Sequence, residues 1–470
     1  MEATLTSEAQ KQKGLRWKDL TLATTTIVVV LLLIVVIQVA TQAPASKTAQ
    51  GTDIGNRVSS TTDWQGLAWG QTWKLAQSSN GTLYVAYRSQ ERGGQGYKAF
   101  VDFSKDNGIT WTHLGNGPIL PGVQIQRVPS LAIGSDDVLQ VVWYGESGGS
   151  SGPVDRQIWY SRWVGTAWST AKIIPLHIDG YLQAADPTHW QEHPDILVDL
   201  SNPKRLYVVW EGTDQTDLAI ANCRSTNCDT PMFTVSTDAG NTWSSVPGGL
   251  NGTYYKLAQP NAQSHSRPCI VQDSNGELHV AWYGSDPGQG GNSRIHYVTS
   301  ADDGATWSSE TAPLPISYGR DQRFPSMTAD SRGRVYIVWK EENVILSQNQ
   351  TLFSFLYGGA WSAPAVVHPD QENQLNPAVQ VDDQGSVYVG WNTGGPFDWS
   401  GDPPSLFDGS QVWVAKLNGT SWFARQVTNF ATNRFVSFPV GPMKPSTVQI
   451  LWVEGNSPKP YTIKYTSFSF

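Results

Sequence analysis

The stretch from Pro268 to Ser308 decides the fold. It opens as Pro268-Cys269-Ile270-Val271, turns at Asn275-Gly276, and returns as His279-Val280-Ala281-Trp282. A second pair follows at once, Arg294-Ile295-His296-Tyr297-Val298 turning into Trp307-Ser308. Apolar runs this short, bounded by turn residues, read as strands joined in hairpins and not as helices. Two hairpins in succession make one four-stranded unit.

The unit recurs along the chain. Pro129-Ser130-Leu131-Ala132-Ile133 leads to Val141-Val142-Trp143, Pro325 leads to Trp339, and Pro377 leads to Trp391; in these and in Pro268 to Trp282 the offset is 14. Pro194 to Trp210 is 16 and Pro439 to Trp452 is 13. A further copy, Asn80-Gly81-Thr82-Leu83-Tyr84-Val85-Ala86-Tyr87, lacks the proline but keeps the turn and second strand. A lone unit cannot bury both faces, whereas a radial array packs each sheet on its neighbours and leaves only short edges. The expectation is an all-β propeller, residues 59–470, of seven four-stranded blades, with six as the alternative. The last unit is one strand short. Arg57-Val58-Ser59-Ser60 is expected to supply the missing outer strand and close the ring.

Composition agrees. Only 15% of residues are charged, while 44 Gly, 28 Pro and 21 Trp suit tight turns and pleated surfaces. The net charge of −8 offers no basic face, which argues against nucleic acid as a partner. Of three cysteines, Cys223 and Cys228 flank a short polar loop that an oxidising compartment could close as a disulfide; two unpaired loop thiols is the alternative. Cys269 reads as a buried small apolar residue. No cofactor or metal site is legible.

Leu20 to Ala40 is an apolar run of 21 residues, preceded by Lys11, Lys13, Arg16 and Lys18 and followed by no basic residue before Lys47. A run of about 20 apolar residues spans a bilayer, and the basic flank belongs in the cytoplasm. The expected layout is a cytoplasmic tail at 1–19, a transmembrane helix at 20–40, a Thr/Ser/Ala/Gly-rich linker at 41–58, and an extracellular propeller anchored to the cell membrane. A cleaved signal peptide is the competing reading. It is opposed by an apolar run longer than the usual ~7–15 residues.

Three turns share the pattern S-x-D-x-G-x-T-W: Ser104 to Trp111, Ser236 to Trp243 and Ser300 to Trp307. Asp106, Asp238 and Asp302 can accept hydrogen bonds from their own turns, Gly supplies a left-handed position, and Trp plugs the turn onto the sheet. Gly165-Thr166-Ala167-Trp168, Gly358-Gly359-Ala360-Trp361 and Asn418-Gly419-Thr420-Ser421-Trp422 are degenerate copies. The spacing lacks the distal Glu of a calcium loop. The pattern resembles the Asp-box (BNR) repeat of the sialidase superfamily, over roughly residues 60–470. Family sialidases have six blades, so seven repeats is a departure.

The resemblance implies three arginines that clamp a substrate carboxylate. Arg127-Val128-Pro129 resembles the family's Arg-Ile-Pro, and Arg267-Pro268 and Arg323-Phe324-Pro325 place two more arginines at points read as equivalent. The alternative is pairing with neighbouring acids such as Asp321. The family's acid/base Asp falls on Asp155. The family's nucleophilic Tyr is missing, because the aligned position holds Asn376-Pro377, and Tyr357 reads as outer strand. Glu192 and Glu211 are candidate channel carboxylates, with Glu192 taken as catalytic beside Asp155. Tyr144, His193, Tyr283 and Asp286 are further channel-end residues suited to a sugar. Three functions follow: a propeller that binds a glycan or glycoconjugate, sialylated ones being among the candidates, an active exo-α-sialidase or related glycoside hydrolase, or a protein-interaction scaffold.

Overall fold

A computed structural model describes residues 55–63, 65–68, 73–90, 96–121, 125–146, 156–174, 191–213, 228–244, 254–258, 264–285, 292–315, 319–343, 348–369, 372–394, 409–429, 433–437, 439–440, 447–455 and 460–470. The apolar run at 20–40, Asp155, Cys223 and Asp286 lie outside the described residues. Among the described residues no helix is long and apolar enough to cross a membrane.

The strands form seven sheets that follow one another in the chain. The inner strand of each of blades two to six is Gln126–Ile133, Gln191–Val198, His265–Gln272, Gly319–Ala329 and Asn373–Val381. Each pairs antiparallel with a second strand that carries the buried Trp, and the meander continues outward. Trp143, Trp210, Trp282, Trp339, Trp391 and Trp452 are all fully buried. Seven apolar clusters hold the wheel, one at each junction between consecutive blades, including the junction of the seventh with the first. Blade four has three described strands, with only a bridge from Tyr297 to Thr311 where a fourth would run.

The ring closes twice. Asn56–Thr61 pairs antiparallel with Tyr461–Ser469 as the outer strand of blade seven, as its sequence suggests. The strand starts at Asn56, so the sheet takes in the end of the stretch read as linker. Nearer the axis, Leu75–Gln77 of blade one pairs in parallel with Pro439–Val440.

The repeated proline marks a bulge. Val128, His193, Arg267, Phe324 and Asn376, each directly before a Pro, have φ of 46°, 50°, 59°, 56° and 51°. The ladder register shifts at each of these points. Proline brings no N–H, so the ladder loses no donor at the bulge. The left-handed backbone is costly for a β-branched residue such as Val128, and the device re-aims the strand entry toward the channel mouth.

The S-x-D-x-G-x-T-W turns do more than close their own hairpins. In the first, Thr110 N donates to Asp106 Oδ1 at 2.9 Å, Thr110 Oγ1 to Oδ2 at 2.5 Å, and Gly108 N to Ser104 Oγ at 2.8 Å. Gly108, Gly240 and Gly304 have φ of 82°, 80° and 88° and lie flush against Tyr465, Tyr160 and Phe233 of the preceding blade. The turn Trp meets the same ring edge-on: Trp111 on Tyr465 at 5.4 Å, Trp243 on Tyr160 at 5.2 Å and Trp307 on Phe233 at 4.9 Å. Two of the three degenerate turns keep this contact, with Trp361 on Tyr297 and Trp422 on Phe353, whereas Trp168 meets Trp163 of its own blade. Five of the six turns therefore fasten their blade to the one before by a Trp, two of them without the Asp.

Cys228 is disulfide-bonded and Cys269 is a free, buried thiol.

Candidate functional site

The bulges gather polar side chains at the mouth where the inner strands begin. Arg127 and Arg323 each sit one residue before the bulge, opposite Tyr144 and Lys340 in the ladder. Arg267 is itself the bulge residue, matching Val128, His193 and Phe324; its counterpart of Arg127 is Ser266. The equivalence read from sequence is thus one residue out for Arg267, because Arg267-Pro268 lacks the intervening residue.

Arg267 and Arg323 share an aromatic pair. The Arg267 guanidinium lies over the Phe324 ring at 6.0 Å, Arg323 over Tyr283 at 5.9 Å, and the two rings meet at 5.4 Å. Lys340 joins them over Phe324 at 5.4 Å, and burial with the nearby Arg323 charge lowers its pKa to about 8. Arg323 also donates to Asp321 at 3.0 Å, the neighbouring acid named as its alternative partner. Arg127 belongs to a second group, over the Tyr97 ring at 5.9 Å with Arg88 over the same ring at 5.3 Å. Arg127 Nε is buried and makes no hydrogen bond among the described residues.

Blade three links the two groups. His193 Nδ1 is 2.7 Å from Glu211 Oε1, and the other Glu211 oxygen accepts from the Arg267 backbone N–H. Tyr144 packs on the His193 ring at 5.4 Å. Both are buried, at 5% and 6% exposure. Burial raises the Glu211 pKa to about 7 against the pull of Arg267. Burial, with the Arg267, Arg88, Lys74 and Arg156 charges, pushes His193 well below its ordinary value. The pair thus combines a neutral imidazole with a carboxyl that holds its proton near neutrality. Glu192 is different: it is ion-paired to Arg156.

Asn376, where the family Tyr would align, is buried and donates to Asn392 Oδ1 at 3.0 Å. Tyr357 is 61% exposed near the end of the third strand of its blade, away from the mouth.

Below the mouth sits a hub that the sequence reading missed. Asp195 and Lys74 are completely buried. Asp195 accepts from Ser130 Oγ at 2.8 Å in blade two and from Ile270 N at 3.2 Å in blade four. Lys74, entering blade one, donates to the Pro129 carbonyl. Burial moves both toward each other, Asp195 up to about 7 and Lys74 down to about 7. The signal was available: after the repeated Pro, other units hold Ser130, Cys269, Ser326 and Ala378, and only this one holds a carboxylate. At the opposite end of the inner strands is a cavity of about 470 Å³, lined in part by Trp73, Ile133, Leu197 and Gln380.

No protein-family model matches the sequence, and no curated protein matches it. Among solved structures the chain is similar to the NanB sialidase from Streptococcus pneumoniae, at 10% identity over 81% of this chain and 71% of that one, with a TM-score of 0.48. It is also similar to an alpha-L-arabinanase from Penicillium chrysogenum, at 16% identity over 73% and 94% of the two chains, TM-score 0.46. A third likeness is to an unknown function protein from Dyadobacter fermentans, at 14% identity over 74% and 96%, TM-score 0.46. These are likenesses of the propeller fold.

Proposed function

We propose that this chain is a membrane-anchored extracellular propeller whose channel mouth binds an acidic glycan. The observation that carries this is the set of Arg127, Arg267 and Arg323 against the rings of Tyr97, Tyr283 and Phe324, with Arg88, buried and paired to Asp63, backing Tyr97. Cations concentrated at one mouth of a chain with net charge −8 fit a carboxylate or sulfate, and the rings beside them fit the apolar face of a sugar. The apolar run at 20–40 supports the anchor.

A panel of sialylated, uronate-bearing and neutral glycans tests the reading. Acidic glycans are expected to bind, and Arg127→Ala and Arg267→Ala to weaken binding about tenfold or more, the scale of a lost charge-assisted bond. Equal retention of neutral glycans would overturn it. A panel left blank, with no hydrolysis of a sialoside, would favour a protein partner.

A second reading, glycoside cleavage, rests on Glu211. A buried carboxyl with a pKa of about 7 beside His193 is suited to give a proton to a leaving sugar oxygen at neutral pH. Glu192, the other carboxylate read from sequence, is ion-paired to Arg156. Asp155 remains the alternative acid. Release from a fluorogenic sialoside or arabinoside that survives Asp155→Ala and vanishes in Glu211→Gln would assign the acid to Glu211.

A further inference from the structure

Blade four, the sheet whose described strands number three, carries a second cluster that the mouth does not use. Glu310 directly precedes Thr311, whose backbone bridges Tyr297 in place of a fourth strand. Glu310 Oε1 is 2.9 Å from His296 Nδ1 and 3.8 Å from His265 Nδ1. One ligating atom from each of the three residues lies within 4.8 Å of the others.

The hydrogen bonds behind the two rings orient them. His296 Nε2 faces the Gly284 carbonyl oxygen at 3.2 Å. A carbonyl only accepts, so Nε2 carries a hydrogen, and Nδ1 is the nitrogen that can turn a lone pair toward a metal. Trp282 Nε1–H donates to His265 Nδ1 at 2.8 Å, so that nitrogen is an acceptor too. Glu310 Oε1 is a buried carboxylate oxygen that receives no hydrogen bond among the described residues. Three electron-pair donors thus face one another, an arrangement that a cation stabilises.

We propose that His265, His296 and Glu310 form a zinc site. In a tetrahedral zinc centre, bonds of about 2.0–2.1 Å place ligand atoms about 3.3 Å apart. The two distances to Glu310, 2.9 and 3.8 Å, straddle that value. Two imidazoles and one carboxylate suit zinc, whereas calcium and magnesium take oxygen ligands. The Gly284 carbonyl orients the His296 ring as outer partners of metal-bound histidines do. The metal would take over the His265 lone pair from the Trp282 indole. Glu310, with its side chain 24% exposed, leaves an opening for a water as fourth ligand. The ion would tie together the inner, third and outermost positions of a blade that is short of a strand.

The test loads the purified full-length chain with zinc, dialyses it, and counts bound metal by mass spectrometry. Cobalt replaces zinc in a parallel sample. One metal per chain and the strong visible absorption of tetrahedral cobalt are expected. Glu310→Gln and His296→Gln should weaken binding about tenfold or more. Glu277→Gln, in the separate Asp273–Glu277–His279 group, should not. Folded wild-type protein that retains no metal and gives no cobalt band would overturn the proposal, leaving an imidazolium–carboxylate pair. So would a Glu310→Gln variant that binds as well as wild type.

Discussion

Gly108 of blade one lies against the ring of Tyr465 in blade seven with no room for a Cβ, at a φ of 82°. The contact spans the junction at which the ring closes. Gly108→Ala therefore meets both a ring and a left-handed backbone, and should cost about 2–4 kcal/mol in denaturant unfolding. Gly165→Ala, also at positive φ but with open space around it, isolates the backbone share and should cost about 1 kcal/mol. Equal losses would show that the aromatic contact carries no weight.

Deleting residues 53–62 removes the outer strand of blade seven, including the buried Val58. Its ladder bonds and apolar burial together suggest a loss of about 5 kcal/mol or more, read as a sharp fall in Tm. An unchanged Tm would mean that the inner parallel pairing alone closes the ring.

The carboxylates of the S-x-D-x-G-x-T-W turns give an acid-side signature. Hydrogen bonds from the Thr110 side chain and backbone, then from Ser104, lower the Asp106 pKa from 3.8 to about 2. The Thr306 bonds lower Asp302, and the Thr242 and Ser236 bonds lower Asp238 despite opposing burial. Groups depressed on folding contribute stability that is present above their unfolded pKa, about 4, and lost as pH falls through the folded value. Wild type should lose Tm between about pH 4 and 2 faster than the triple Asp→Asn variant, and the two should converge at the acid end.

Glu211 carries the opposite sign. Its folded pKa of about 7 lies above the ordinary 4.5, so between those values the folded chain holds a proton the unfolded chain has released. Stability from this group falls as pH rises through that window. Glu211→Gln keeps an acceptor for the Arg267 N–H and cannot ionise. Its Tm relative to wild type should climb from pH 5 to pH 8; a flat difference would place the perturbed carboxyl elsewhere.

Asp195 ties blades two and four to Lys74 of blade one. Asp195→Ala leaves the Ser130 hydroxyl and the Ile270 N–H without their acceptor and Lys74 without its partner, and should cost about 2–4 kcal/mol. Lys74→Met should then add little in the Asp195→Ala background, although it is costly alone. Additive losses in the double variant would show that the two charges do not interact.

The wheel was legible in the sequence because each blade is specified locally. A Pro at the bulge, a turn, and a Trp some fourteen residues on can be read from one unit and then counted. The closing strand was legible because the last unit lacked one. The site was legible only in part. Arg127 and Arg323 announced themselves before a bulge, but Arg267 occupies the bulge itself and its register needed the ladder. The packing of Tyr144 on the His193 ring joins two blades, and no single unit of the sequence shows it. Glu211, Lys74 and Asp195 owe their perturbed protonation to burial among side chains from other blades, which no local pattern encodes. The same holds for His265, His296 and Glu310, which are spread over too long a stretch to form a local metal motif.

The pairing of Asn56 with Tyr465 sets a schedule for biosynthesis. A ribosome emits the early strand first, and that edge has no mate until some four hundred residues later. Until then Asn56–Thr61 presents bare ladder groups that another chain could capture. Closure of the ring is thus the last event that the order of the strands allows.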